Sequence, residues 1–89
     1  MELEDVFSSK LRMKILKLIY QLGSLNVSDI ARRLNANFSA VSENLKLLET
    51  EGILQVLPYG RIRMYRFKES AKSKAVQGLI ETWERDSSS

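Results

Sequence analysis

The chain has 89 residues, 44% hydrophobic and 28% charged, with a formal net charge of +3. This size implies one domain with a small core, and this composition excludes a disordered chain. No apolar run reaches the roughly 20 residues a spanning helix needs, the acidic opening MELEDVF lacks a signal peptide's basic start, and the absence of Cys and His removes disulfides, the common zinc ligands and the usual nucleophile–base pairs.

From about Ser8 to Leu22 the sequence has a helical repeat. Leu11, Ile15, Leu18, Ile19 and Leu22 share one face, and Gly23 is the expected stop. Met13, Leu16 and Tyr20 fall off that face, which predicts a second neighbour for the helix. Ser24 and Leu25 read as a brief extended link. Asn26 is a good N-cap for a helix over Val27–Leu34, with Asp29 placed as the reciprocal member of a capping box, and Val27, Ile30, Ala31 and Leu34 turn inward. Asn35-Ala36-Asn37 is a tight turn, since Asn tolerates the left-handed backbone, and Asn37 can cap the next helix, about Phe38–Glu51. Its core stripe is Val41, Leu45 and Leu48, and Gly52 ends it.

Ile53–Leu57 favours a strand, Pro58-Tyr59-Gly60 is turn material, and Ile62–Phe67 has a strand-like repeat, so a hairpin is predicted. Pro58 at its tip sacrifices no ladder bond. A last helix is expected over about 70–85, with Ala75, Val76, Leu79, Ile80 and Trp83 in one stripe, and then a frayed tail over 86–89. No repeat or long linker divides the chain, so 1–89 reads as one domain with its main body at 8–67.

This order of helix, turn, helix and hairpin resembles the ArsR/MarR-like winged helix-turn-helix regulators of bacteria and archaea. The matching segments are VSDIARRL for the first motif helix, FSAVSENLKLLETEGIL for the recognition helix, and GRIRMYRF for the second wing strand, in which an aromatic near the end plugs the core. The resemblance spans about Leu11 to Phe67. It implies a mainly α fold with a small β-hairpin and a C-terminal dimerisation helix. It further implies a homodimeric transcriptional regulator that binds a pseudo-palindromic site on double-stranded DNA. No cofactor, metal, membrane or enzymatic activity is expected, and the location implied is cytoplasmic. Metal-sensing members use Cys, His, Asp or Glu ligands; with neither Cys nor His here, that activity is not carried over.

The resemblance makes Phe38, Ser39, Ala40, Ser42, Glu43 and Lys46 the groove-facing positions, and the helical repeat independently sets Ser39, Ser42, Glu43 and Lys46 opposite the core stripe. Serine hydroxyls can bond phosphate or base edges, a carboxylate can accept from a cytosine amine, and a lysine can reach phosphate or guanine. Arg61 and Arg63 are expected to contact the backbone or a minor groove from the wing, and with Arg66 they read as three arginines at alternating strand positions, more than solubility requires. Against this, Phe38 at the helix start is read as folding back onto the core in preference to stacking on DNA, Arg32 and Arg33 can belong to a solvated face, and Lys10, Arg12, Lys14 and Lys17 read as a solubilising side of the first helix.

For the dimer, Leu16 and Tyr20 with Val76, Leu79, Ile80 and Trp83 are the expected interface, against the alternative that the last helix packs on its own domain. The rival function is a winged helix that binds proteins and not DNA, distinguished by salt-dependent duplex binding. RNA binding ranks lower, because no aromatic-basic stacking platform is present.

Overall fold

The computed structural model describes residues 1–87, in the order α1 (Leu3–Phe7), α2 (Lys10–Leu22), β1 (Ser24–Leu25), α3 (Val27–Leu34), α4 (Phe38–Thr50), β2 (Leu54–Tyr59), β3 (Ile62–Phe67) and α5 (Ala71–Ser87). It is a mainly helical winged helix-turn-helix with a small antiparallel sheet. The expected bounds of α3 and β3 hold to the residue. α1 is an addition to the expected elements: the opening that reads as merely acidic forms a turn of helix closed by a capping box between Glu2 and Asp5, and it buries Val6.

Each later helix start has a side-chain oxygen on an otherwise unpaired amide. Ser9 accepts from the Arg12 amide at 3.1 Å, Asn26 from Asp29 at 2.8 Å, Asn37 from Ala40 at 3.0 Å, and Ser70 from Ser73 at 3.1 Å. The capping box expected of Asp29 does not form in that way: its carboxylate pairs with Arg32 at 3.1 Å, one turn ahead on the same helix. α3 ends in a Schellman turn, with Ala36 N–H donating to the Ala31 carbonyl and Asn35 N–H to that of Arg32. Asn35 sits at φ +50°, the left-handed conformation expected of it. The same pair of bonds recurs after α4, from Ile53 to Leu48 and from Gly52 to Glu49, with Gly52 at φ +83°.

The core lies where α2 meets its neighbours on every side, namely α1, α3, α4, α5, β1 and β3. Ile15, Leu16 and Ile19 are fully buried there with Ile30, Val41, Leu45, Leu48 and Leu54. Two expectations change. Leu16, placed off the core face of its helix, is wholly buried, because α2 is covered by its own chain on both sides; Leu22, placed on that face, is 48% exposed, because it is the last residue of the helix. Likewise Val76 and Ile80 are buried within the protomer, with Ser73 also turned away from solvent, while Ala75, Leu79 and Trp83 of the expected stripe are exposed.

The sheet has the order β1-β3-β2. The predicted link at Ser24–Leu25 is thus a short strand, pairing Ser24 with Arg66 and Leu25 with Tyr65. β2 and β3 pair from Leu54↔Phe67 to Tyr59↔Ile62, leaving Gly60-Arg61 as the loop. Turn material is expected at Pro58-Tyr59-Gly60, but Pro58 and Tyr59 are strand residues. In a two-residue hairpin the closing pair, Tyr59 and Ile62, is the hydrogen-bonded one, so the next position, Pro58, turns its nitrogen outward. β2 is an edge strand, and no ladder bond is lost there. φ is positive at Gly60 (+63°) and not at Arg61, the pattern of a type II′ turn.

The helix predicted to end near residue 85 continues to Ser87; of the expected frayed tail, 88–89 lie outside the described residues.

Candidate nucleic-acid interface

α4 has two unlike sides. Val41, Leu45 and Leu48 at 0% exposure fix one against the core. The other carries Phe38, Ser39, Ser42, Glu43 and Lys46, which line one shallow concavity. Ala40, the remaining expected contact, is half-buried at the rim of this face. Phe38 is 55% exposed, so of its two expected placements the less favoured, outward one is found. A helix at the surface with hydroxyls, an ammonium and a carboxylate on its free side can exchange hydrogen bonds with base edges and phosphates.

What holds that helix in place includes a polar strut that periodicity does not reveal. Arg12 Nε donates to Asn44 Oδ1 at 3.0 Å, and Asn44 Nδ2 donates to the Ala40 carbonyl at 2.9 Å. The same guanidinium donates through Nη1 to the Asp5 carbonyl. Arg12 reads from the sequence as one of several solubilising cations, yet it ties α1 and the start of α2 to the first turns of α4. At the far end, Ser70 Oγ donates to the Gly52 carbonyl at 2.7 Å and Lys72 Nζ meets Glu51 at 2.7 Å, so the start of α5 clamps the end of α4. Glu51 also pairs with the amino group of Met1 at 3.2 Å. These two cations, Lys72 foremost through its hydrogen bond, hold the Glu51 carboxyl below its usual value.

On the wing, strand alternation separates two faces. Leu25, Val56, Tyr65 and Phe67 face the core, and Tyr65, at 2% exposure, is the aromatic plug expected near the end of β3. Gln55, Leu57, Tyr59, Ile62, Met64 and Arg66 form the opposite face. Arg63 shares the parity of Tyr65 but lies beyond the core and is exposed, and Arg61 is in the hairpin loop. Arg66 therefore does not join them. Among the described residues no ion pair engages Arg61, Arg63, Lys46 or Arg33, whereas Asp29, Glu51, Glu69, Glu81 and Glu84 are all paired with cations.

Opposite in character is a groove between α1, α2 and α5, lined by Phe7, Met13, Leu79, Ile80 and Trp83 and edged by the Lys17–Glu84 ion pair at 2.9 Å. Trp83 is 70% exposed and Leu79 42%. Of the residues expected at a dimer surface, these two stand free. Tyr20 is half-buried against the core, and Leu16, Val76 and Ile80 belong to the protomer's own interior. Phe7 and Met13 lie outside the expected interface set. The signal for Phe7 is the apolar spacing of Leu3, Val6 and Phe7, hidden by the acids between them.

Among the described residues no helix is long and apolar enough to cross a membrane, and no group of three His, Cys, Asp or Glu residues is arranged to hold a metal.

The MarR family model matches residues 9–58, more than half of the chain. Among solved structures the chain is similar to reduced HlyU from Vibrio cholerae, at 24% identity and a TM-score of 0.78, over 93% of this chain and 82% of that one. It is similar to the transcriptional repressor PagR of Bacillus anthracis at 25% identity and a TM-score of 0.74, over 90% and 86% of the two chains. A third likeness is to the homodimeric winged helix-turn-helix DNA-binding domain of Mb0332 from Mycobacterium bovis, at 23% identity and a TM-score of 0.74, over 93% and 75%. Among curated protein sequences none matches.

Proposed function

The chain belongs to the MarR family of winged-helix transcriptional regulators, and on that premise we propose that it is a homodimer that reads a pseudo-palindromic site in double-stranded DNA. Each α4 enters a major groove and each wing grips the flanking backbone. The observation that carries this reading is the free side of α4: Phe38, Ser39, Ser42, Glu43 and Lys46 share one concavity on a helix whose other side is fully buried. The unpaired Arg61 and Arg63 supply the charge that backbone binding needs, and neither has an acid to leave before it meets phosphate.

Two recognition helices about one helical turn apart, roughly 34 Å, require two protomers. The apolar groove of Phe7, Met13, Leu79 and Trp83 is the surface we assign to the partner, since a monomer gains nothing by leaving an indole in water. Mb0332's domain, similar in fold, is homodimeric.

Mobility shifts at several salt concentrations test the wing. Each phosphate contact contributes about 0.9 to the slope of log K against log salt, so Arg61→Ala with Arg63→Ala should flatten the slope by about two units and weaken all duplexes alike. An unchanged slope removes the wing from the mechanism. A parent with no salt-dependent duplex binding returns the fold to a protein-binding role.

A further inference from the structure

On the face of α4 assigned to DNA, one group has the wrong sign. Glu43 is exposed, lines the concavity with Ser39, Ser42 and Lys46, and has no ion pair among the described residues, although Lys46 lies one turn away. Nothing in the fold depends on this side chain, which caps no helix and lies outside the core. A carboxylate carried toward a polyanion weakens binding everywhere unless some donor on the DNA meets it.

The base edges offer few such donors. In the major groove, guanine presents two acceptors and thymine an acceptor and a methyl group, so either would face the carboxylate with lone pairs or carbon. Adenine offers its amine beside the N7 acceptor, which repels the second carboxylate oxygen. Cytosine alone offers an amine with no acceptor of its own ring beside it on that edge, only a C–H. Resting on the DNA-binding reading above, we infer that Glu43 makes the protein select a cytosine at one position of each half-site, and that it acts chiefly by exclusion. Lys46, one turn on, offsets the charge without satisfying the carboxylate's hydrogen-bonding capacity.

The test is selection of bound duplexes from a random pool with the parent, Glu43→Gln and Glu43→Ala, followed by affinities for all four bases at the position that responds. The parent should hold cytosine there by about tenfold or more, the usual worth of a good base contact. Glutamine pairs with the N6 and N7 of adenine, so Glu43→Gln should move the preference from cytosine to adenine at that position and leave the others alone. Glu43→Ala should flatten it. If both variants keep the parent's preferences and only bind every duplex more tightly, Glu43 is a surface charge and the inference falls while DNA binding stands. If the parent binds no duplex, the functional reading fails first and the inference with it. Neither replacement removes a contact that holds the fold, so both variants should melt like the parent.

Discussion

Asn44 has both ends of its amide engaged, one with Arg12 across the helix pair and one with the carbonyl a turn behind it. Half-buried groups of this kind matter most when a partner is removed, because the remaining donor is left without an acceptor. Asn44→Leu keeps the branched shape and strands the Arg12 Nε; urea denaturation should report a loss of about 1–3 kcal/mol. Asn44→Asp keeps the acceptor for Arg12 and adds charge to that bond, but sets an oxygen where Nδ2 donated to the Ala40 carbonyl, so it should fall between the leucine variant and the parent. A leucine variant as stable as the parent would mean that the strut contributes nothing. Glu51 yields a prediction of another kind. Its carboxyl is held below the usual 4.5 by Lys72 and by the Met1 amino group. For a depressed acid, the stabilisation is complete above the unfolded pKa and is lost as pH falls through the lower folded one. Lys72→Met should therefore reduce the stability the protein loses as pH falls below the usual 4.5. Melting curves across that window check it; parallel curves for parent and variant would remove Glu51 from the acid response.

Between α3 and α4 the chain turns through Asn35, at φ +50° and ψ +48°. The left-handed region costs an ordinary L-residue about 1–2 kcal/mol, and a β-branched one is a true outlier there. Asn35→Gly should be close to neutral, whereas Asn35→Val should lower stability by at least that amount, read as a drop in urea midpoint at unchanged slope. Equal stability of the two variants would show that the turn adopts another conformation. The wing obeys a similar local rule: Gly60 supplies the positive φ that a type II′ loop needs in first place. The loop at Gly60-Arg61 puts Pro58 and Tyr59, both expected in the turn, into the strand. Strand alternation along β3 leaves Arg66 level with Ser24 and Gln55, on the face opposite to that of Arg63.

Across the whole molecule two surfaces differ in character: one on the free side of α4, where hydrogen-bonding side chains predominate beside Phe38, and one around the groove by α5, lined by Phe7, Met13, Leu79 and Trp83. Trp83 is exposed within the protomer, so Trp83→Ala opens no cavity and should leave the monomer's fold intact. At a two-fold interface the same change should cost about 2 kcal/mol or more, shift the population toward monomer, and weaken DNA binding because each half-site is then held alone. Sedimentation of parent and variant without DNA decides it. A parent that stays monomeric at high micromolar concentration would mean that the groove has another occupant.

Local signals in the sequence determined a great deal. The caps at Asn26 and Asn37, the left-handed Asn35 and the stripe of Val41, Leu45 and Leu48 placed the helix-turn-helix to within a residue, because each depends on neighbours within a turn or two. The outward set Ser39, Ser42, Glu43 and Lys46 followed from the same repeat, since a helix with one buried side has only one other. What tertiary structure decided was everything set by elements distant in sequence. Leu16 and Ile80 look like spare apolar surface until α1 and α5 are laid against α2, and Arg12 looks like a solvated cation until Asn44 is brought across to it. Ser24 and Leu25 become a strand only because β3 offers an edge. Helical periodicity says which residues share a side; which side meets which neighbour is set by packing, and packing is not periodic.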